Sequence, residues 1–308
     1  CSTPRSPSLG VQDFPFRAYF YHTRYSKTEH PLTQHSEATF TSVANVPIFY
    51  QKWLPDGPVR GVVMIVHGLG EHGGRYGNLV ERLLPEGYAV YAIDHQGFGR
   101  SGGQRGHVNH FHDYAKDVHR LNGLVRAEQP GQPVAVFGHS MGGLITLDYA
   151  QTYPKDADCW VVQAPAVRAE MSALLVFALR LVNLVRPTFS MERPGDGVIS
   201  RDPEEVRRFE EDPLFVPIST ARWLVQILTA QKRVKASVAA TSGPLLMLQG
   251  TADNVVIPAA TQEFFERIPA ADRTLLTYDG YYHELHNDIG KEKPLSDIIG
   301  WLNARMVE

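Results

Sequence analysis

The sequence predicts an α/β protein: a mostly parallel, eight-stranded sheet flanked by helices, with a helical cap inserted late in the chain. Three observations carry this. Short apolar runs such as "GVVMIV" (61–66) and "VAVF" (134–137) have the continuous hydrophobicity of strands covered on both faces. These runs alternate with amphipathic stretches of helical period, the rhythm of parallel strands joined by right-handed crossovers. The rhythm stops after Pro165 and resumes at "PLLMLQG" (244–250), so the segment between reads as an insertion.

Residues 1–36 carry no such rhythm and read as an N-terminal extension or tether. From residue 37, "EATFTSV" (37–43) and "VPIFYQKW" (46–53) alternate like an antiparallel hairpin. The first part of the core, 37–165, continues with "GVVMIVHG", a helix near Tyr76–Leu84, strand "YAVYAID" and a helix over Asp113–Glu128. Strand "PVAVFG", a helix over Ser140–Tyr153 and strand "CWVVQAP" complete it. The cap, 166–238, shows helical stretches and Pro/Gly loops and no strand pattern. The second part of the core, 239–308, holds "PLLMLQG", a helix near Ala259–Ile268, strand "TLLTYDG" and a last helix near Leu295–Met306.

Composition narrows the function. With 308 residues, 43% hydrophobic and 20% charged, the chain can bury a large core. A net charge of −3 without clustered Lys or Arg argues against nucleic acid as a partner. Two cysteines, Cys1 and Cys159, provide no disulfide framework. The longest apolar run, "ALLVFALRLVNLV" (173–185), is too short to span a bilayer and contains Arg180. The opening "CSTPRSPSLG" has the form of a lipidated Cys1 and a Ser/Pro-rich tether, which gives the expectation of a lipoprotein anchored in a bacterial cell envelope. The alternative is a cytoplasmic protein whose chain is cut at an arbitrary point.

"GHSMG" (138–142) matches G-x-S-x-G and sits between a buried strand and a helix, the context that motif requires. A sharp strand-to-helix turn exposes the Ser140 hydroxyl at the positive end of a helix, and side chains in place of the glycines would collide with adjoining elements. Serine is a weak nucleophile and needs a base. Among thirteen histidines, "YYHELHND" (281–288) offers two just after the last strand. His283 follows the Gly280 turn directly and is the candidate base; His286, three residues on, supports the loop. The i, i+3 spacing of "HELH" is not that of H-E-x-x-H, so no metal site is expected there. His107, His110 and His112 read as a polar surface loop. Asp253, in "LQGTADNVV" (248–256), is the candidate acid. Its rivals are Asp279, placed on the strand, and Asp288, placed at a helix cap. The backbone N–H groups of Met141 and of Leu69, in "HGLGEHGGRY" (67–76), are the expected oxyanion donors.

These segments, with "DHQGFGRSGGQRGHV" (94–108), "VISRDPEEV" (198–206) and "DPLF" (212–215), resemble α/β-hydrolases of the monoacylglycerol lipase and lysophospholipase group from about Glu37 onward. The resemblance implies the α/β-hydrolase fold, a Ser140–Asp253–His283 triad with Leu69 and Met141 as oxyanion hole, and no cofactor. It implies hydrolysis of a lipid or small ester with one long acyl chain. A lysophospholipase, a short-chain esterase and a catalytically inactive binding protein of this fold are the alternatives. The stripe Met171, Leu174, Leu175, Ala178, Leu179, Val182, Leu184 and Val185 gives the cap an apolar helix over 171–186. It either packs on the body beside an acyl tunnel or dips into a lipid interface, a second route to peripheral membrane association besides Cys1.

Overall fold

In the computed structural model, which describes residues 34–192 and 198–306, an antiparallel pair comes first, β1 (Gln34–Thr41) and β2 (Pro47–Leu54). Then follow β3 (Gly61–Val66), α1 (Gly77–Leu83), β4 (Tyr88–Ile93), α2 (His112–Glu128), β5 (Val134–His139), α3 (Met141–Thr152) and β6 (Cys159–Gln163). The segment expected to be the cap contains α4 (Ala173–Val185), β7 (Ser190–Glu192), α5 (Pro203–Glu210), β8 (Ile218–Thr220) and α6 (Ala221–Ala236). The chain closes with β9 (Leu245–Gly250), α7 (Pro258–Glu266), β10 (Arg273–Tyr278) and α8 (Glu292–Asn303).

Eight strands form one sheet in the order β1-β2-β4-β3-β5-β6-β9-β10. Only β2 runs against its neighbours; β4, β3, β5, β6, β9 and β10 are parallel. Alternation along β3 shows why the apolar runs are continuous. Val62, Met64 and Val66 enter one core with Tyr114, Leu121 and Leu144 of α2 and α3, while Val63 and Ile65 face Leu79, Leu83 and Ile298 of α1 and α8. Each such buried side chain contributes roughly 1.5–3 kcal/mol. Because β4 and β5 lie on opposite sides of β3, the chain reverses direction there. The carboxyl ends of the strands at such a point form a crevice.

Two expectations need correction. β1 begins at Gln34, inside the segment read as extension, and pairs Gln34 with Leu54. Gln34, His35 and Ser36 are exposed edge residues with no apolar alternation to betray a strand. The inserted segment also contains strand: β7 and β8 pair antiparallel as a small ribbon. Three residues per strand are too few to display a period of two. Other boundaries shift by one to three residues, and Cys1 lies outside the described residues.

Candidate active site

Ser140 lies between β5 and α3 with φ 56 and ψ −117, a backbone conformation that costs a non-glycine residue about 1–3 kcal/mol. Its amide donates to Gln163 O at 3.0 Å, and its carbonyl accepts from Leu144 and Ala166. The flanking glycines are required by space. A Cβ on Gly142 would overlap the carbonyl oxygens of Val66 at the end of β3 and of His67 just after it, and one on Gly138 would overlap Gly142 O and Thr146. Gly142→Ala is therefore expected to lower unfolding free energy by about 3 kcal/mol or more, measured by urea denaturation. A loss under about 0.5 kcal/mol would contradict the close approach of α3 to β3.

Asp253 and His283 meet directly: His283 Nδ1 is 2.8 Å from Asp253 Oδ2. The other carboxylate oxygen accepts the Val255 and Val256 amides at 2.9 and 3.0 Å, and Gln249 Nε2 donates to Oδ2 at 3.0 Å. Burial pushes the Asp253 carboxyl up, yet the His283 charge, its hydrogen bond and the two amides hold it below the usual carboxylate value. Burial pushes the His283 imidazole down, but the Asp253 anion and hydrogen bond leave it above the ordinary value. The pair abuts the elbow, since the rings of His283 and His139 are 4.6 Å apart. No hydrogen bond joins the Ser140 hydroxyl to His283 among the described residues; contacts of this kind are often long before substrate binds.

The loop after β3 lies against Ser140, because a Cβ on Gly68 would stand 3.3 Å from the Ser140 Cβ. Neither the Leu69 nor the Met141 N–H has an acceptor among the described residues. Met141 opens α3, where the first amides have no intrahelical partner.

The sequence points only to backbone groups of "HGLGEHGGRY", yet its side chains build a buried ion network. Arg75 Nε is 3.2 Å from Glu71 Oε2, and Arg75 Nη2 is 2.9 Å from Glu284 Oε2. Glu71 Oε1 accepts from Tyr76 OH at 2.8 Å and from Gly68 N at 2.6 Å, and lies 3.1 Å from His139 Nδ1. Burial disfavours the Arg75 cation, but Glu284 and Glu71 outweigh this and hold it charged. Arg75 thus fastens the loop bearing Leu69 to Glu284, the residue after His283. The signal was the second glutamate, which follows His283 immediately; spacing alone does not reveal that it meets Arg75.

The rival residues have other work. His286 is fully buried, stacked on Tyr76 at 4.8 Å, with Nδ1 2.8 Å from Gln163 Nε2. Asp279 accepts from Thr251 Oγ1 just past β10. Asp288 does not cap a helix: it accepts from Ser200 Oγ, the Arg201 guanidinium and the Tyr282 amide, which ties residues 200–201 to the His283 loop. His107 is not a surface residue either. It is buried, with Nδ1 2.9 Å from Thr220 Oγ1. Among the described residues, no three His, Cys, Asp or Glu side chains are arranged to hold a metal.

Polar contacts connect the inserted segment to the loop bearing Leu69. Asp212 Oδ2 is 2.9 Å from His72 Nε2, and the Val216 amide donates to Gly70 O at 2.8 Å. Since His72 Nδ1 accepts from Gly74 N, its Nε2 carries the proton given to Asp212. Asp212→Ala removes one end of this strap. The expected result is a fall in kcat of about tenfold with KM little changed, because the loop carrying the expected oxyanion donor Leu69 N–H is displaced. Asp212→Asn, which retains an acceptor, recovers most of the rate; an alanine variant as fast as wild type would show that the strap does not position the loop.

A strained serine between strand and helix, at the carboxyl end of a parallel sheet and beside a buried Asp–His pair, defines a serine hydrolase of the α/β-hydrolase fold. The chain belongs to the family described as "Serine aminopeptidase, S33", whose model matches residues 57–290. It is 34% identical to a monoacylglycerol lipase of Mycolicibacterium smegmatis over 277 residues, 88% of this chain and 98% of that protein. It is 33% identical to the human monoglyceride lipase over 264 residues, 84% of this chain and 87% of that one. The crystal structure of the Paleococcus ferrophilus monoacylglycerol lipase superposes with a TM-score of 0.75 at 30% identity, covering 88% of this chain and 99% of that one. The chain is a carboxylic ester hydrolase of the lipase and esterase type.

Proposed function

We propose that the chain hydrolyses single-chain acyl esters, with monoacylglycerol as the leading substrate, through an acyl-enzyme on Ser140. The observation that carries this is the Asp253–His283 pair held against the strained Ser140 elbow. Ser140 Oγ attacks the ester carbonyl while His283 Nε2 takes its proton, and Asp253 holds the imidazole by Nδ1 and stabilises the imidazolium. The oxyanion formed receives the Leu69 and Met141 N–H groups, each worth about 10²–10³ in rate. Collapse breaks the C–O bond to glycerol, and His283 returns its proton to the leaving alkoxide. Water then attacks the acyl carbon as His283 takes its proton, the bond to Ser140 Oγ breaks to release the fatty acid, and His283 returns the proton to Ser140 Oγ.

The monoacylglycerol and monoglyceride lipases among the relatives support this substrate, while the family description raises amide cleavage as a second reading. Initial rates on p-nitrophenyl esters of rising chain length, then on monoacylglycerol, lysophosphatidylcholine and an aminoacyl p-nitroanilide, separate the possibilities. We expect activity to persist through decanoate and monoacylglycerol to be turned over fastest of the natural esters. A rate that peaks at acetate and vanishes by decanoate would make the protein a short-chain esterase. Faster turnover of lysophosphatidylcholine would make it a lysophospholipase, and faster turnover of the anilide a peptidase.

A further inference from the structure

α4 packs on α6 in a manner that buries only Leu179 of its thirteen residues. Leu174, Phe177, Leu181, Leu184 and Val185 recur at helical spacing and stay exposed, at 77%, 59%, 50%, 79% and 78%. One stripe around the helix, Val176 and Arg180 turn instead toward α6 and border a cavity of about 240 Å³. Arg168, Lys232 and Lys235 complete its cationic lining, with Leu228 as an apolar wall.

The charges there are only partly neutralised. Arg168 pairs with Glu263 of α7 at 3.0 Å, yet its Nε is buried without a partner. Arg180, Lys232 and Lys235 make no ion pair among the described residues. Burial and the neighbouring Arg168 hold the Lys235 ammonium below the usual lysine value, although Glu263 opposes them. A cavity with four cations beside an uncovered apolar ridge complements a ligand with an anionic head and a hydrocarbon neighbourhood.

We propose that the cavity between α4 and α6 binds the phosphate of an anionic phospholipid while the α4 ridge lies in the surrounding acyl layer. The ridge alone would give binding to any bilayer; the cavity adds selection for anionic ones. The result is a specific orientation on the membrane, with α4 lowermost and Arg180 at the level of the phosphates.

The test is vesicle co-sedimentation of the full chain carrying Ser140→Ala, so that binding is read independently of hydrolysis and of the substrate assigned above. Vesicles of phosphatidylcholine alone are compared with vesicles containing about a third phosphatidylglycerol. We expect binding about a hundredfold tighter to the anionic vesicles, weakening with salt. Arg180→Gln/Lys232→Gln/Lys235→Gln should lose this preference, by about a hundredfold, and keep the weak binding to phosphatidylcholine. In a Ser140 background the same triple variant should hydrolyse a soluble p-nitrophenyl ester at the wild-type rate, which shows that it folds. Phe177→Ser/Leu181→Ser should bind neither vesicle. Equal binding to both vesicles, or a preference retained by the triple variant, would overturn the site. An equal loss on removing two charges from α5, by Arg207→Gln/Arg208→Gln, would reduce it to diffuse attraction and overturn it as well. Inorganic phosphate at matched ionic strength should compete only weakly, because it lacks the contribution of the acyl layer; full release from the vesicles at low millimolar phosphate would identify a free anion as the ligand and overturn the lipid assignment.

Discussion

Replacing Ser140 with alanine is expected to lower kcat on any ester by about 10⁶-fold while leaving the unfolding free energy within about 0.5 kcal/mol of wild type. The loss is large because, in the proposed mechanism, the serine oxygen is the atom to which the acyl group is transferred, and no neighbouring group can replace it. Cys159, the one cysteine within the described residues, starts β6 at the amino end of the sheet, and burial pushes its thiol up to about 12. The fold should be indifferent because alanine bears the same positive φ as serine and the hydroxyl makes no hydrogen bond among the described residues. Steady-state kinetics with matched denaturation curves check both halves. A variant within a hundredfold of wild type would remove Ser140 from the chemistry.

Asp253→Asn is expected to cost about 10⁴ in kcat, because an amide favours the wrong imidazole tautomer and leaves the imidazolium without its anion. The pH profile supplies a sharper readout. His283 must be neutral to act as base, and its folded pKa lies above the ordinary value of about 6.5. The acidic limb of kcat/KM in the wild type therefore falls above that value. Once the anion is gone, burial is the dominant influence left, so the limb in Asp253→Asn moves to lower pH. An unmoved limb would mean that Asp253 does not set the charge of His283. Linkage to stability carries opposite signs for the two groups. The raised His283 pKa contributes stability in full below about pH 6.5, and this is lost as pH rises through its folded value. The depressed Asp253 pKa contributes above the carboxyl's ordinary 3.8 and is lost as pH falls through its folded value. Between those limits both contributions to stability are present in full, but His283 is protonated there and the site is inactive.

The sheet was legible in the sequence because its central strands are buried on both faces and so read as unbroken apolar runs. The placement of Ser140, Asp253 and His283 was legible for a related reason: each follows the end of a strand, where sequence order and position in the crevice are tied together. What escaped were features that depend on long-range geometry. Arg75 meets Glu284 across 209 positions and His72 meets Asp212 across 140, and no local pattern predicts such partners. The β7–β8 ribbon was too short to carry a period. His107 looked like a surface residue because its burial is supplied by Thr220 from the inserted segment.

The central claim is that Ser140 is the nucleophile and that the Asp253–His283 pair activates it. The most direct measurement is labelling of the folded protein with a fluorophosphonate, followed by peptide mapping of the adduct. The account predicts a single phosphonyl group on Ser140 in the wild type, much slower labelling in Asp253→Asn, and none in Ser140→Ala. An unlabelled wild type, or an adduct that persists in Ser140→Ala, would contradict it.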